Sequence, residues 1–317
     1  MAEMTRRAFS GLAAVNVMCP LLAPRTVQAQ AANQLSLDRY ELKFDSDFEP
    51  LGRVADKTPG TGDTVNGSQW TPRYRFTNDP RGCSFHGEYQ WYVDPRFDWG
   101  PGIGHISPFS VSSRELAITA RRTPAGLAAK MAGRLDQEKR ETNVPHPWIS
   151  GVITTQNSFW FRYGYAEAMV KLPRGRTLWP AFWMLPKEWP YPPEVDIMEF
   201  IGDEPRKSNY NVIAGTPDKP MDGRGDYSDR GLDLTLDWHS FGCLWTPEAF
   251  EFFLDRKKIG SVPAHPTMDQ CHYYLILNMA VGGKWPGVPG ADTPSPAEFR
   301  VRHVKVWQLI KPHTGLR

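Results

Sequence analysis

The stretch Pro193-Glu194-Val195-Asp196-Ile197-Met198-Glu199-Phe200-Ile201 decides how this chain folds. It opens as a strand in which polar and apolar residues alternate, so Glu194 and Asp196 face one side and Val195 and Ile197 the other. Strict alternation would put Met198 beside the acids and Glu199 in the core. A lone ionised carboxylate there is costly. One extra residue near Ile197-Met198, a β-bulge, removes the conflict. Glu199 then joins Glu194 and Asp196, and Phe200 returns to the core.

Outward from this strand the chain reads as short runs rich in β-branched and aromatic residues, separated by Gly, Pro, Asn and Asp. Examples are Leu116–Ala120, Gly164–Leu172, Ser240–Trp245, Phe250–Leu254, Tyr273–Val281 and Phe299–Gln308. With 29 Pro and 27 Gly among 317 residues, long helices have little room. One stretch differs. Ala125 to Arg140 is rich in Ala and charge, with Leu127, Met131 and Leu135 four apart, and predicts a short amphipathic helix inserted between strands. The pattern is that of an all-β, two-sheet sandwich of the jelly-roll kind in one domain.

Three carboxyl groups on one face repel unless some are protonated or serve a reaction. Cleavage of a glycosidic bond uses such a set, with one ionised carboxylate and one protonated carboxylic acid flanking the bond. In that scheme Glu194 is the nucleophile and Glu199 the acid that later becomes the base. Asp196 between them hydrogen-bonds Glu194 and helps hold the neighbouring proton. A solvated acidic face on an edge strand is the plain alternative. The flanks favour the chemical reading. In Leu178-Trp179-Pro180-Ala181-Phe182-Trp183-Met184-Leu185-Pro186, Trp179 and Trp183 share parity and face one cleft, while Phe182 and Met184 pack inward. Gly282-Gly283-Lys284-Trp285-Pro286-Gly287 presents a third indole on a loop. Sugar rings stack their C–H faces on such platforms. Among the 12 Trp, Trp245 and Trp307 read instead as core.

The amino terminus reads as an export signal. Thr5-Arg6-Arg7-Ala8-Phe9 precedes an apolar stretch from Gly11 to Ala23, and Ala29-Gln30-Ala31 fits a small-residue cleavage site. The arginine pair makes residues 1–31 resemble a twin-arginine signal, with an ordinary secretory signal as the alternative. The apolar run is short and holds Pro20 and Pro24, so no stable membrane anchor is expected. Residues 32–39 read as a linker and 40–312 as the catalytic domain. The expected partner is the twin-arginine export machinery and the expected location periplasmic or secreted. Residues 1–31 carry Arg6, Arg7 and Arg25 against Glu3, so removing them takes the net charge from +2 to 0. A neutral chain argues against nucleic acid as a partner. Cys83, Cys243 and Cys271 remain, an odd number without metal-ligand spacing, so no metal site is expected. One disulfide with a free thiol, or three buried thiols, both remain open, and a chain exported folded should not depend on a disulfide.

On these residues the chain resembles glycoside hydrolase family sixteen. The signature Glu-x-Asp-x-x-Glu falls on Glu194, Asp196 and Glu199, downstream of the tryptophan segment. Gly87-Glu88-Tyr89-Gln90-Trp91-Tyr92, Phe159 to Pro173, Trp238 to Pro247 and Leu275-Ile276-Leu277-Asn278 to Gly287 match in the same order. The resemblance implies a concanavalin-like jelly roll with a concave cleft. It also implies a retaining mechanism with Glu194 as nucleophile, Glu199 as acid/base, Asp196 as their partner, and a polysaccharide as substrate. Gly87 to Pro95 and Trp189 to Glu194 are similar to bacterial glycanases that trim exopolysaccharides, such as succinoglycan depolymerases. The tryptophan and Val-Gly-Gly-x-Trp-Pro-Gly segments are shared with laminarinases, which cut β-1,3-glucan. Two departures stand out. Asn209 and Ile213 occupy positions where laminarinases carry histidines, and Arg302 replaces an aspartate that helps many members bind calcium. A cation beside Arg302 gains an unfavourable neighbour, so neither calcium nor another cofactor is expected. The activity so implied is hydrolysis of internal β-glycosidic bonds in an exopolysaccharide or β-1,3-glucan. A transglycosylase acting on cell-wall glucan would use the same residues. A non-catalytic carbohydrate-binding protein would not require the acid pair.

Overall fold

The computed structural model describes residues 34–52, 69–75, 81–84, 87–135, 146–188, 191–216, 218–221 and 223–310. The export signal and the end of the expected helix beyond Leu135 lie outside these residues.

Among the described residues two large sheets, antiparallel except where Gln90–Val93 pairs parallel to Trp148–Ser150, face each other. The first has six strands in the spatial order Arg224–Asp229, Lys207–Ile213, Glu194–Glu199, Leu178–Pro186, Tyr273–Val281 and Val152–Thr154. The acidic strand thus lies inside the sheet, between the tryptophan strand and Lys207–Ile213. The second sheet has eleven strands. Its centre is the long strand Ala297–Leu309, flanked by Gly164–Lys171 and Glu115–Arg122. The segments expected as strands are found in these two sheets, and Tyr273–Val281 has the expected limits.

Period-two alternation explains what each face does. In Tyr273–Val281, Tyr273, Leu275, Leu277, Met279 and Val281 enter the core between the sheets. Ile276 and Ala280 point the other way, into a small cluster with Tyr74, Cys83, Tyr92 and Leu185. Residues from the chain's first third therefore cover part of the six-stranded sheet's outer face and build a wall there. The main core takes Phe182, Met184, Val195 and Leu275 from this sheet, and Ala166, Ala168, Phe241, Val304 and Val306 from the other. Trp245 is core, as expected. Trp307 is not. It follows Val306 on the same strand, so it points outward, where it is half-buried with its ring 5.7 Å from that of Tyr165.

The inserted helix spans Ala125–Leu135. Leu127 and Met131 pack against Trp91, Val93, Trp99, Ile106 and Ile149. This cluster grips one side of the strand Gln90–Val93, whose Tyr92 points to the wall of the cleft. The helix thus braces that wall from behind. Cys243 and Cys271 are buried in the main core, and Cys83 in the wall. Among the described residues no helix is long and apolar enough to cross a membrane.

Candidate active site

The register of the acidic strand departs from regular pairing where parity requires it. Asp196 pairs with Trp183 and Met198 with Phe182, so two steps on the acidic strand meet one on the tryptophan strand. On the other side Asp196 pairs with Asn211 and Glu199 with Asn209, three steps against two. The extra residue lies at Ile197-Met198, and both of these side chains are in the core. A bulge there bends the strand and shifts its phase. Glu194, Asp196 and Glu199 consequently line one cleft of about 940 Å³ together with Trp179 and Trp183.

Each acid is held differently. Glu199 accepts hydrogen bonds at both oxygens, from Trp179 Nε1 at 3.1 Å and from Asn209 Nδ2 at 2.7 Å. Asp196 is buried and hydrogen-bonded to Glu194 on one side and to Asn211 on the other. Glu194 pairs across the strand with Ile213, which offers no donor side chain. Glu194 and Glu199 keep their tips in the cleft while the protein crowds their carboxyl groups. Burial, then the Glu199 charge, pushes Glu194 up to about 7, and the hydrogen bond from Asp196 acts downward. Burial, then the charges of Glu194 and Glu199, holds Asp196 well above the usual carboxylate range. Burial also raises Glu199, against the downward pull of Asn209 and Trp179. The cluster therefore retains protons where isolated carboxyls have lost theirs. In the Asp196–Glu194 bond, Asp196 donates and the Glu194 carboxylate accepts.

Trp179 and Trp183 are half-buried and line the cleft, with Phe182 and Met184 turned inward. Trp183 Nε1 donates to Asn278 Oδ1 at 2.7 Å, and Asn278 Nδ2 donates to Tyr92 Oη at 2.9 Å. Trp285 stands beside the cleft rather than in its lining. It is 40% exposed, meeting Trp179 edge-on at 5.5 Å and Tyr227 at 5.1 Å. Sequence reasoning missed Asn211, Asn278, Tyr74, Arg75, Glu88 and Tyr191. All but Asn211 line the cleft. Burial, then the charges of Glu194 and Asp196, pushes the Tyr191 phenol up to about 12, which places it near the acids. One signal could have found Asn209 and Asn211. They share parity on a strand whose partner carries acids at matching parity. Arg302 lies 4.0 Å over the Trp238 ring and 3.6 Å from Glu115.

Residues 108–302 match the family described as Glycosyl hydrolases family 16. The chain belongs to this family. Glycosyl hydrolases family 16 chains are glycoside hydrolases, and the stretch that matches contains all three acids and both cleft tryptophans. The chain is 30% identical over 285 residues to the endo-1,3-1,4-beta-glycanase EglC of Rhizobium meliloti, covering 88% of this chain and 55% of that one. It is 28% identical to ExsH of the same organism, covering 87% and 54%. The chain thus spans about half the length of these relatives. Among solved structures, the endo-beta-1,3-glucanase of Pyrococcus furiosus is 26% identical, with a TM-score of 0.63 over 88% of this chain and 98% of the other. The jelly-roll fold is therefore that of a family 16 member.

Proposed function

We propose that the chain is a retaining endo-β-glycanase in which Glu194 is the nucleophile and Glu199 the acid/base. The observation that carries this reading is the bulge, which sets three carboxyl groups on the cleft side of an otherwise apolar strand. In the first step Glu199 gives its proton to the glycosidic oxygen as Glu194 attacks the anomeric carbon. The aglycone leaves with that proton and a glycosyl–Glu194 ester forms. In the second step Glu199 takes a proton from water, the oxygen attacks the anomeric carbon, and Glu194 leaves. Asp196 donates to Glu194 and keeps that carboxylate oriented. Glu194 and Glu199 lie opposite Ile213 and Asn209, four positions apart, so their Cα atoms are about 13 Å apart at about 3.3 Å per residue. A retaining pair needs carboxyl groups about 5–5.5 Å apart, which two glutamates reach by leaning inward above Asp196. The upward push of the Glu199 charge on Glu194 supports that approach.

The substrate we propose is a long β-glucan-type chain, with a bacterial exopolysaccharide favoured over laminarin. The endo-1,3-1,4-beta-glycanases EglC and ExsH support a β-glycan substrate, and the preference within that class rests on the Gly87 to Pro95 likeness and on Asn209 and Ile213 where laminarinases carry histidine. Rings on either side of the cut stack on Trp179 and Trp183. Incubation with a panel of β-glucans and bacterial exopolysaccharides, read by product mass, tests the assignment. Internal fragments are expected. Release of monosaccharide alone, or faster cleavage of laminarin than of every exopolysaccharide, would count against it. We propose also that residues 1–31 direct folded export, on the strength of Arg6-Arg7 and the small-residue site at Ala29-Gln30-Ala31. Lysine at both arginine positions should trap precursor inside the cell, and normal export of that variant would reject the twin-arginine reading.

A further inference from the structure

Glu199 is the acid held from both neighbouring strands. Asn209 faces it directly across one strand pair, and the side chains of such a pair share a face. Trp179 reaches it from the other side, two residues along from Ala181, the residue that pairs with Glu199. Trp179 Nε1 binds Oε1 and Asn209 Nδ2 binds Oε2, so neither oxygen is without an N–H donor. Both donors are neutral. An indole has no acceptor and no titration in the working range, and an amide adds no charge. Glu194 has no matching side-chain donor across the strand, because Ile213 stands there. The asymmetry singles out the group that must change protonation state twice in each catalytic cycle.

We propose that Asn209 and Trp179 form a two-donor clamp that fixes the Glu199 carboxyl group in the plane from which it delivers its proton to the leaving oxygen. Asn209 is then a positioning residue for the acid step. The inference rests on Glu199 being the acid/base. With each oxygen already accepting one N–H, the carboxyl group cannot rotate about its last bond without losing both bonds. The acid proton must then occupy a remaining lone pair that faces the cleft. As the proton leaves, both donors bind a carboxylate, and a hydrogen bond strengthens when its acceptor becomes charged. The clamp therefore assists the step in which the proton is given up. Burial alone makes Glu199 a weaker acid, and these two donors oppose it.

The leaving group separates this role from a structural one. The leaving group of a 2,4-dinitrophenyl β-glycoside departs without a proton, whereas that of a phenyl β-glycoside of the same mixed-linkage β-glucan trisaccharide needs one. Asn209→Leu removes the donor at similar size. It should lower kcat/KM for the phenyl substrate about 10- to 100-fold, the range of one hydrogen bond to a charged group. The dinitrophenyl substrate should lose less than about threefold. Trp179→Phe should give the same ratio, since loss of sugar stacking affects both substrates alike and cancels, and it serves if Asn209→Leu does not fold. Glu199→Ala is the reference. If it shows steep leaving-group dependence and the clamp variants show equal losses on both substrates, the clamp is refuted while the role of Glu199 stands. If Glu199→Ala shows no such dependence, the acid/base assignment fails and the clamp with it.

Discussion

Glu194→Gln should make the protein more stable at alkaline pH while destroying activity. Burial and the Glu199 charge push the Glu194 carboxyl up to about 7, from an ordinary value of 4.5. Between those values the folded protein holds more protons than the unfolded chain, so stability falls as pH rises through that window and is not regained above it. The rise from 4.5 to about 7 corresponds to about 3–4 kcal/mol at about 1.4 kcal/mol per tenfold change in proton affinity. This is an upper figure, because Glu194 is only half-buried and opens on the cleft. Glutamine is neutral at every pH and is spared the cost. For a domain of this size about 1 kcal/mol moves Tm by about 2 °C, so the gain is about 2–6 °C. Thermal unfolding of both proteins followed by circular dichroism at pH 4 and pH 8 reads it directly. The two Tm values should nearly coincide at pH 4, and the variant should lead at pH 8. A gap that is the same at both pH values would refute the charge-crowding argument, and so would a wild-type lead at pH 8.

Glu194→Gln and Glu199→Gln should each lower kcat on polysaccharide by at least about 1000-fold with the fold intact by near-ultraviolet circular dichroism. Asp196→Asn should lose about 10- to 100-fold, since an amide still donates to Glu194. Gly223→Ala should lower activity without touching an acid. Its Cβ would sit 2.5 Å from Asn211 Oδ1, displacing the amide that holds Asp196. Wild-type turnover in that variant would show that Asn211 is dispensable. Trp285→Ala should weaken turnover of long chains more than of short ones, and equal effects would mean that Trp285 only packs against Trp179 and Tyr227.

The acidic strand was legible because parity and burial disagreed on it, and only a bulge reconciles them. Trp179 and Trp183 were legible from alternation, since they share one parity and the inward-packing Phe182 and Met184 the other. The helix showed itself by Leu127 and Met131. What could not be read depends on register between strands far apart in sequence. Asn278 lies 95 positions from Trp183 and 186 from Tyr92, yet joins them. Asn209 looked like a mere substitution of histidine until pairing set it against Glu199. Trp307 misled because a large aromatic residue on a central strand suggests core. The strand's alternation sends it outward, where Tyr165 and Arg256 cover it.

The assignment of Glu194 and Glu199 is tested most directly by azide rescue of their alanine variants, with the anomeric configuration of the product read by NMR. With an activated aryl β-glycoside, Glu199→Ala still forms the glycosyl–Glu194 ester, and azide then opens it to the β-glycosyl azide. In Glu194→Ala the azide takes the place of the missing nucleophile and yields the α-glycosyl azide. The opposite pairing of variant and anomer would exchange the two roles, and no azide product from either variant would contradict the double-displacement account.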